Sequence, residues 1–442
     1  MTSFLLVIYY NNRDSLSAGI ITALINRVGD VFFILVIGAM SSYLSFGCYR
    51  GQEAVWVLLR ILVLLGRVTK RAQVPFSAWL PEAMAAPTPV STLVHSSTLV
   101  TAGVYVIIRF SELLRRVAVY ALLFCSMITV IIAGMGGTIE VDIKKVIALS
   151  TLRQVGIIMF SIRVGAVVVA FFHLVVHAFF KALMFMCMGG VIFYSGGYQD
   201  ARFLGSLWQK MPLASALMIL RNISLIGLPF MSGFYSKELI ISHFLVDSCS
   251  LVGFVMLFFS LVLTMAYGVR ILLLIIVSRE RHSIRHYKSG NCYYVGALLL
   301  IRNGAVRVGL LLQCFLLPLV FLRDMRGSIF YGGLGLRVMW FLNLMLLGCF
   351  LDSGFLKKGV SEFVGGIWFL KNLSGNVIRS SSLKVLSKVL SLVEIGIVRR
   401  YLWGPGLGGM MVSSRKNSRR WRVRLIGVLR FLCLVLWVAV LV

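Results

Sequence analysis

The chain has 442 residues, of which 59% are hydrophobic and 13% charged, and its mean hydropathy is +0.94. A soluble domain lies nearer half apolar and a quarter charged, so this composition excludes one and indicates an integral membrane protein. Lys and Arg number 44 against 15 Asp and Glu, a formal charge of +29, but most of the cations lie in or near connecting segments, such as Arg115, Arg116, Arg279, Arg281, Arg415, Lys416, Arg419 and Arg420. There they orient helices and meet anionic lipid, and with no recognised binding module beside them no nucleic-acid partner is expected.

A hydrocarbon core of about 30 Å needs roughly 20 apolar residues per helix. Residues 4–10 are apolar but too few, so the chain is expected to start partway through a helix. Spans are then predicted at 19–44, 54–74, 89–110, 117–137, 143–161, 165–194, 213–241, 250–277, 294–322, 334–352 and 422–442, with Arg302 and Arg307 interrupting the ninth. Such long continuous runs exclude a β-barrel; the expected fold is all-α, a polytopic transmembrane helix bundle. Over 358–400 the character changes. Leu386, Leu390, Val393 and Ile397 recur at helical spacing, with Lys384, Lys388, Ser391 and Glu394 off that stripe. This is an amphipathic helix, read either as lying along the membrane or neighbouring subunits or as an ordinary connecting helix on the aqueous side, and Trp403-Gly404-Pro405-Gly406 ends it. The expected divisions are 1–277, 278–356 with further transmembrane helices, 357–410 with the lateral helix and turn, and 411–442 with a basic linker and terminal span. The eight cysteines form no CxxC, so free thiols are expected and no metal or iron–sulfur cradle. The segment MTSFLLVIYYNNRD has the layout of neither a transit peptide nor a cleavable signal, so insertion where the chain is made, or by an internal signal, is expected.

Ionisable residues and helix breakers gather between Lys70 and Arg109, where four of the eight prolines fall. An ammonium at mid-membrane costs upward of about 2.5 kcal/mol and must face water or a partner charge. Lys70 stands five residues before Pro75. Proline frees helix carbonyls and makes a half-helix end able to hold a cation or a proton-carrying water; snorkelling to the interface, beside Arg67 and Arg71, is the plainer alternative. His95 lies among Ser91, Thr92, Ser96, Ser97 and Thr98, hydroxyls that either hydrate a pore or bond back to their own helix.

His173, His177 and Lys181 recur at i, i+4 and i+8 on one helix face. Imidazoles titrate near neutral pH and can hand a proton to a lysine; polar packing is the bland reading. A metal site is the third, opposed by the lack of a Glu after the first His and by the lysine one turn on. In GLPFMSGFYSKELI, Gly227, Pro229 and Gly233 loosen a span just before Lys237 and Glu238, the pattern of a discontinuous transporter helix. Arg27 and Asp30, at i and i+3, read as an ion pair.

Together, INRVGDVFFIL, VPFSAWLPEAMAAPTPVSTLVHSSTLVTAGVYVIIRF, DIKKVIALSTLRQVGIIMF, HLVVHAFFKALMFMCMGG and GLPFMSGFYSKELI resemble, in order over about residues 3–277, the chain 5 family of proton-pumping NADH:ubiquinone oxidoreductase, respiratory complex I. The resemblance implies an antiporter-like core over 1–277 with two broken helices, at Pro75 and Pro229. It implies a proton path of Lys70, His95, His173, His177, Lys181, Lys237 and Glu238, supported by the Arg27–Asp30 pair. It implies other membrane-arm subunits and lipids, cardiolipin among them, as partners. FMN, iron–sulfur clusters and ubiquinone would reside in other subunits, and no cofactor or metal in this chain. The mitochondrial inner membrane is the implied location, a bacterial plasma membrane the weaker alternative. The family carries an essential glutamate on a helix upstream of the segment resembling TSFLLVIYY, so a separate polypeptide supplying the N-terminal helices, as in a split subunit, is expected, the alternative being a defective first half-channel. The rivals are an Mrp-type cation/proton antiporter and a structural remnant that does not pump.

Overall fold

The computed structural model describes residues 2–45, 53–109, 118–227, 231–246, 251–274, 292–316, 363–366, 368, 384, 387 and 388. The chain divides into two compact units, Met1–Gly375 and Asn376–Val442. In the second only Lys384, Ser387 and Lys388 are described, with the Ser387 hydroxyl donating to the Lys384 carbonyl at 2.9 Å. The spans expected at 334–352 and 422–442, nearly all of the lateral helix, and the boundaries near 277, 356 and 410 lie outside the described residues.

The first unit is helical throughout its described elements. A short α1 (Thr2–Val7) and a 3-10 turn lead through Asn11 into α2 (Arg13–Ser45), followed by α3 (Glu53–Lys70) and the single turn α4 (Trp79–Glu82). Next, α5 (Thr88–Val90) continues through a π-helix, Ser91–Thr98, into α6 (Leu99–Arg109). Then come α7 (Ala118–Ile139), α8 (Ile143–Arg163), α9 (Val167–Tyr194), α10 (Leu207–Lys210), α11 (Pro212–Ile226), α12 (Ser232–Val246), α13 (Leu251–Leu272) and α14 (Cys292–Leu316). Among the described residues seven helices are long and apolar enough to cross a membrane. At 1.5 Å per residue the 21 residues of α8 reach about 32 Å, a full hydrocarbon core.

Helix α8 is the hub. Its apolar window is 94% buried, against 17% for α2 and 18% for α14. Polar side chains on α8 therefore face other helices, while apolar faces of α2 and α14 are left for lipid or neighbouring subunits, where exposure of hydrocarbon is not penalised.

Two of the expected spans are interrupted where the sequence places its helix breakers, which shortens their bounds. The span placed at 54–74 stops as a helix at Lys70, and residues 71–78 run irregularly to α4. Pro75 lacks an amide hydrogen and bars its predecessor from helical geometry. Released carbonyls find other donors: Gln73 N bonds Val68 O at 3.2 Å, and the Trp79 indole bonds Thr69 O at 3.0 Å. The span placed at 213–241 is two helices. Helix α11 ends where Gly227, at φ 88°, takes the left-handed conformation open to glycine, and α12 begins at Ser232. With 15 residues each, about 22 Å, neither crosses alone. Pro229 falls outside the described residues.

Candidate functional site

The first lysine is positioned by close packing of α2 on α3. A Cβ on Gly29 would stand 2.3 Å from Thr69 Oγ1, and one on Gly66 would stand 3.2 Å from the Gly29 carbonyl. Small residues at this crossing let the backbones approach and deliver the neighbouring Asp30 to the end of α3. There Lys70 Nζ lies 2.8 Å from Asp30 Oδ1 and 4.9 Å from the centre of the Phe33 ring. Arg27 Nη1 sits 3.9 Å from the other Asp30 oxygen. The local Arg27–Asp30 pair read from the sequence is thus present but the looser of two. The carboxylate's nearer partner, Lys70, lies on another helix and carries no local spacing signal.

His95 lies in the π-helix, and its side chain is outside the described residues. Of its hydroxyl neighbours, Ser91 donates to Pro87 O at 3.3 Å, Thr92 to Thr88 O at 2.8 Å, and Thr98 to Leu93 O at 2.9 Å. These hydroxyls follow the back-bonding alternative. A π-turn of this kind recurs at functional positions, because it re-aims side chains within an otherwise continuous helix.

The central row lies on α9. His173, His177 and Lys181 line one face of α9 and are 1%, 1% and 0% exposed. His173 Nδ1 is 2.8 Å from Ser236 Oγ of α12, and its Nε2 is 3.2 Å from Gln154 Oε1 of α8. The His173 and His177 ring centres are 6.4 Å apart. Both ring nitrogens of His177 are buried without a hydrogen-bonding partner among the described residues, places where ordered water is expected. Lys181 donates to Ser150 Oγ and, at 3.5 Å, to the Ile147 carbonyl, both on α8. Ser150, Gln154 and Ser236 were not singled out in the sequence. The first two sit inside the motif DIKKVIALSTLRQVGIIMF, but only the packing of α8 on α9 gives them a role.

At the second break, Lys237 donates to the Leu225 carbonyl. That oxygen belongs to the last turn of α11, where carbonyls have no intrahelical donor and the helix dipole is negative. The chain turns back at Gly227, and Lys237 returns across the break to the end it has just left. Glu238 beside it is also buried.

At one mouth of the bundle the loops are latched. Asp142 and Asp200 form an isolated backbone bridge, Lys145 pairs with Asp142 at 2.8 Å and Arg202 with Asp200 at 2.7 Å. The hydrogen bonds from Arg202 hold the Asp200 carboxyl below its ordinary range. Burial pushes Glu140 up, and the Arg270 guanidinium caps α7 through the carbonyls of Glu140 at 2.7 Å and Ile139 at 3.1 Å. Among the described residues no three His, Cys, Asp or Glu groups are placed to hold a metal ion.

Residues 1–264 match the model for the NADH:quinone oxidoreductase/Mrp antiporter transmembrane family. The chain belongs to this family. Within it, NADH-ubiquinone oxidoreductase chain 5 of Locusta migratoria is 35% identical over 441 residues, covering 94% of this chain and 73% of that one. Chain 5 of Aedes aegypti is 46% identical over 277 residues, covering 61% of this chain and 48% of its own length. The matched length is therefore between about half and three quarters of these relatives. Among solved structures, a chain of the Mrp complex from Dietzia sp. superposes with a TM-score of 0.68 at 23% identity, covering 99% of this chain and 48% of that one. At that identity the likeness is one of fold.

Proposed function

We propose that the chain is a proton-translocating membrane-arm subunit of mitochondrial NADH:ubiquinone oxidoreductase, an antiporter-like multi-pass protein of the inner membrane. The observation that carries this reading is the buried row His173–His177–Lys181 on α9, set against polar groups of α8 and α12 and beside a broken helix with its own lysine. An imidazole takes a proton at one nitrogen and gives one up at the other, so His173 and His177, with water at the open nitrogens of His177, pass protons along α9 to Lys181. Lys237 and Glu238 receive them at the second break; Lys70, with Asp30 as counter-charge, and His95 serve the first. Moving a charge across the membrane costs about 2.3 kcal/mol per 100 mV. That energy comes from redox chemistry in other subunits, which hold the FMN, iron–sulfur clusters and ubiquinone; this chain holds no redox group. Other membrane-arm subunits and lipids, cardiolipin among them, are its partners.

The test is the proton-to-electron ratio of the assembled complex in sealed vesicles, with Lys181→Met and Lys237→Met. Both should lower the ratio while the complex assembles. Full pumping in both would favour a structural brace. The fold likeness to the Mrp complex supports a second reading, a cation/proton antiporter; sodium-dependent transport without NADH oxidation would favour it. Peptides from the NADH-oxidising band of gently solubilised membranes test membership of the complex. They also decide whether the remaining length of the relatives comes with this chain or with a separate polypeptide.

A further inference from the structure

Helix α14 is long and apolar enough to cross a membrane, yet it carries two arginines and no carboxylate. At 1.5 Å per residue, Arg302 lies about 15 Å from its first residue and Arg307 about 13 Å from its last, so both fall in the inner part of the helix. Snorkelling to the interface serves cations near helix ends and does not suit residues this deep. Packing fixes which way each side of the helix points. Leu298, Ala305 and Gly309 are buried on one side, where the Ser232 hydroxyl of α12 donates to the Ala305 carbonyl and a Cβ on Gly309 would collide with Ser232. Small residues at 305 and 309 thus seat α14 closely on α12. At 3.6 residues per turn the opposite side carries Leu300, Asn303, Arg307 and Leu311, all exposed, and Phe315 continues the row.

Charge decides what covers this row. A guanidinium stays protonated in proteins, so Arg307 cannot meet hydrocarbon by shedding a proton as a lysine can. It is in none of the four ion pairs among the described residues. Lipid chains offer no hydrogen-bond acceptor at that depth. Nor do the remaining spans predicted in this chain supply a counter-charge: 334–352 has its one carboxylate, Asp352, at its last residue, and 422–442 has none.

We propose that the Leu300–Asn303–Arg307–Leu311 face of α14 is the docking seam for a transmembrane helix of a neighbouring subunit, one that presents an aspartate or glutamate level with Arg307. A carboxylate takes a guanidinium in two parallel hydrogen bonds, the strongest pairing open to it. Arg302 Nη2 donates to Asn303 Oδ1 at 3.5 Å, so Asn303 adds its own N–H donors one turn from Arg307. Leu300 and Leu311 flank the polar pair and supply the apolar contact on either side. In lipid, apolar contact alone selects no partner, because the chains it displaces are as apolar as leucine; the buried ion pair is what fixes partner and register. The inference rests on the chain having neighbours in a membrane complex, as proposed above, and not on its pumping.

The experiment is electron cryo-microscopy of the complex gently solubilised from native membranes. A helix of another subunit is expected along the seam, with a carboxylate oxygen within about 4 Å of the Arg307 guanidinium. Lipid along the seam, a helix of this chain there, or a neighbouring helix with no carboxylate at that level overturns the inference. Arg307→Glu should lower the yield of that neighbour in the purified complex about tenfold, while Arg307→Lys keeps it within about twofold; full retention in Arg307→Glu overturns the inference as well. Should Arg307→Glu fail to insert, the structure of the unaltered complex decides alone. A chain recovered from the membrane without any companion would overturn the membership reading and this one together, whereas lipid at the seam of an intact complex overturns this one only.

Discussion

Asp30→Asn isolates the contribution of the α2–α3 ion pair. The substitution keeps shape and volume but leaves Lys70 facing Arg27 with no intervening carboxylate. At the 2.8 Å separation, an effective dielectric of 20 gives an attraction of about 6 kcal/mol before solvent is considered. The two side chains are 32% and 37% exposed, and pairs this open retain only about 1 kcal/mol, rising toward 3 kcal/mol if a neighbouring subunit covers them. The assay is a double-mutant cycle of Asp30→Asn and Lys70→Met on the proton-to-electron ratio and on thermal stability of the complex. If the pair acts as a unit, the double variant should be better than the sum of the singles by about 1 kcal/mol, roughly a factor of five. A parallel cycle of Asp30→Asn with Arg27→Met should show the weaker coupling, because that contact is 3.9 Å. Additive effects in the Lys70 cycle, or stronger coupling to Arg27, would refute the pairing.

His177→Leu should leave assembly nearly unchanged, since neither ring nitrogen has a partner to lose among the described residues, yet should cut pumping at least tenfold; normal pumping would remove His177 from the path. Gly233→Ala should destabilise the complex by about 2 kcal/mol or more, because the new Cβ would stand 1.9 Å from the Ser224 carbonyl oxygen, a backbone atom that cannot swing away. Thermal melting in detergent reports it, and a melting point equal to the parent's would contradict the tight crossing of α11 and α12. The loop latch should show two opposite pH dependences. Asp200, held below its ordinary 3.8 by Arg202, contributes stability above that value that is lost as pH falls; Glu140, raised above 4.5 by burial, contributes stability at low pH that is lost as pH rises through its folded value. Arg202→Met should flatten the first limb of the stability profile and Glu140→Gln the second.

The fold was legible because the bilayer imposes one rule, that apolar runs of sufficient length satisfy their backbones as helices. That rule places α7, α8, α9 and α13 within a few residues of their expected bounds. It fails where a span is interrupted. Hydropathy alone runs on over 54–74 and only Pro75 signals the break; past Lys70, Arg71 and Gln73 stay buried by bonding elsewhere, Arg71 Nη2 donating to the Gly103 carbonyl and Gln73 Oε1 accepting from Thr129 at 3.2 Å. Similarly His173, His177 and Lys181 declare themselves by period, but their partners Ser150, Gln154 and Ser236 sit on other helices, and helix-to-helix register is not written in local spacing.

The two breaks also explain a difference in order that the sequence leaves open: proline follows lysine at the first and precedes it at the second. At the first, lysine ends the outgoing half-helix. The released carbonyls nearby are claimed by Gln73 N and the Trp79 indole, so Lys70 turns to a carboxylate on α2. At the second, lysine lies in the returning half-helix and reaches back to a carbonyl of the helix just ended. One lysine is therefore held by a side-chain countercharge, the other by a backbone dipole. Lys70 depends on the position of α2, whereas Lys237 depends only on the end of the helix just before its own. Its hold on the Leu225 carbonyl changes only with its own proton or with the spacing between α11 and α12, and Gly227 and Gly233 keep that spacing small. The two lysines are thus held differently, Lys70 by an ion pair across α2 and α3 and Lys237 by a backbone carbonyl across the break.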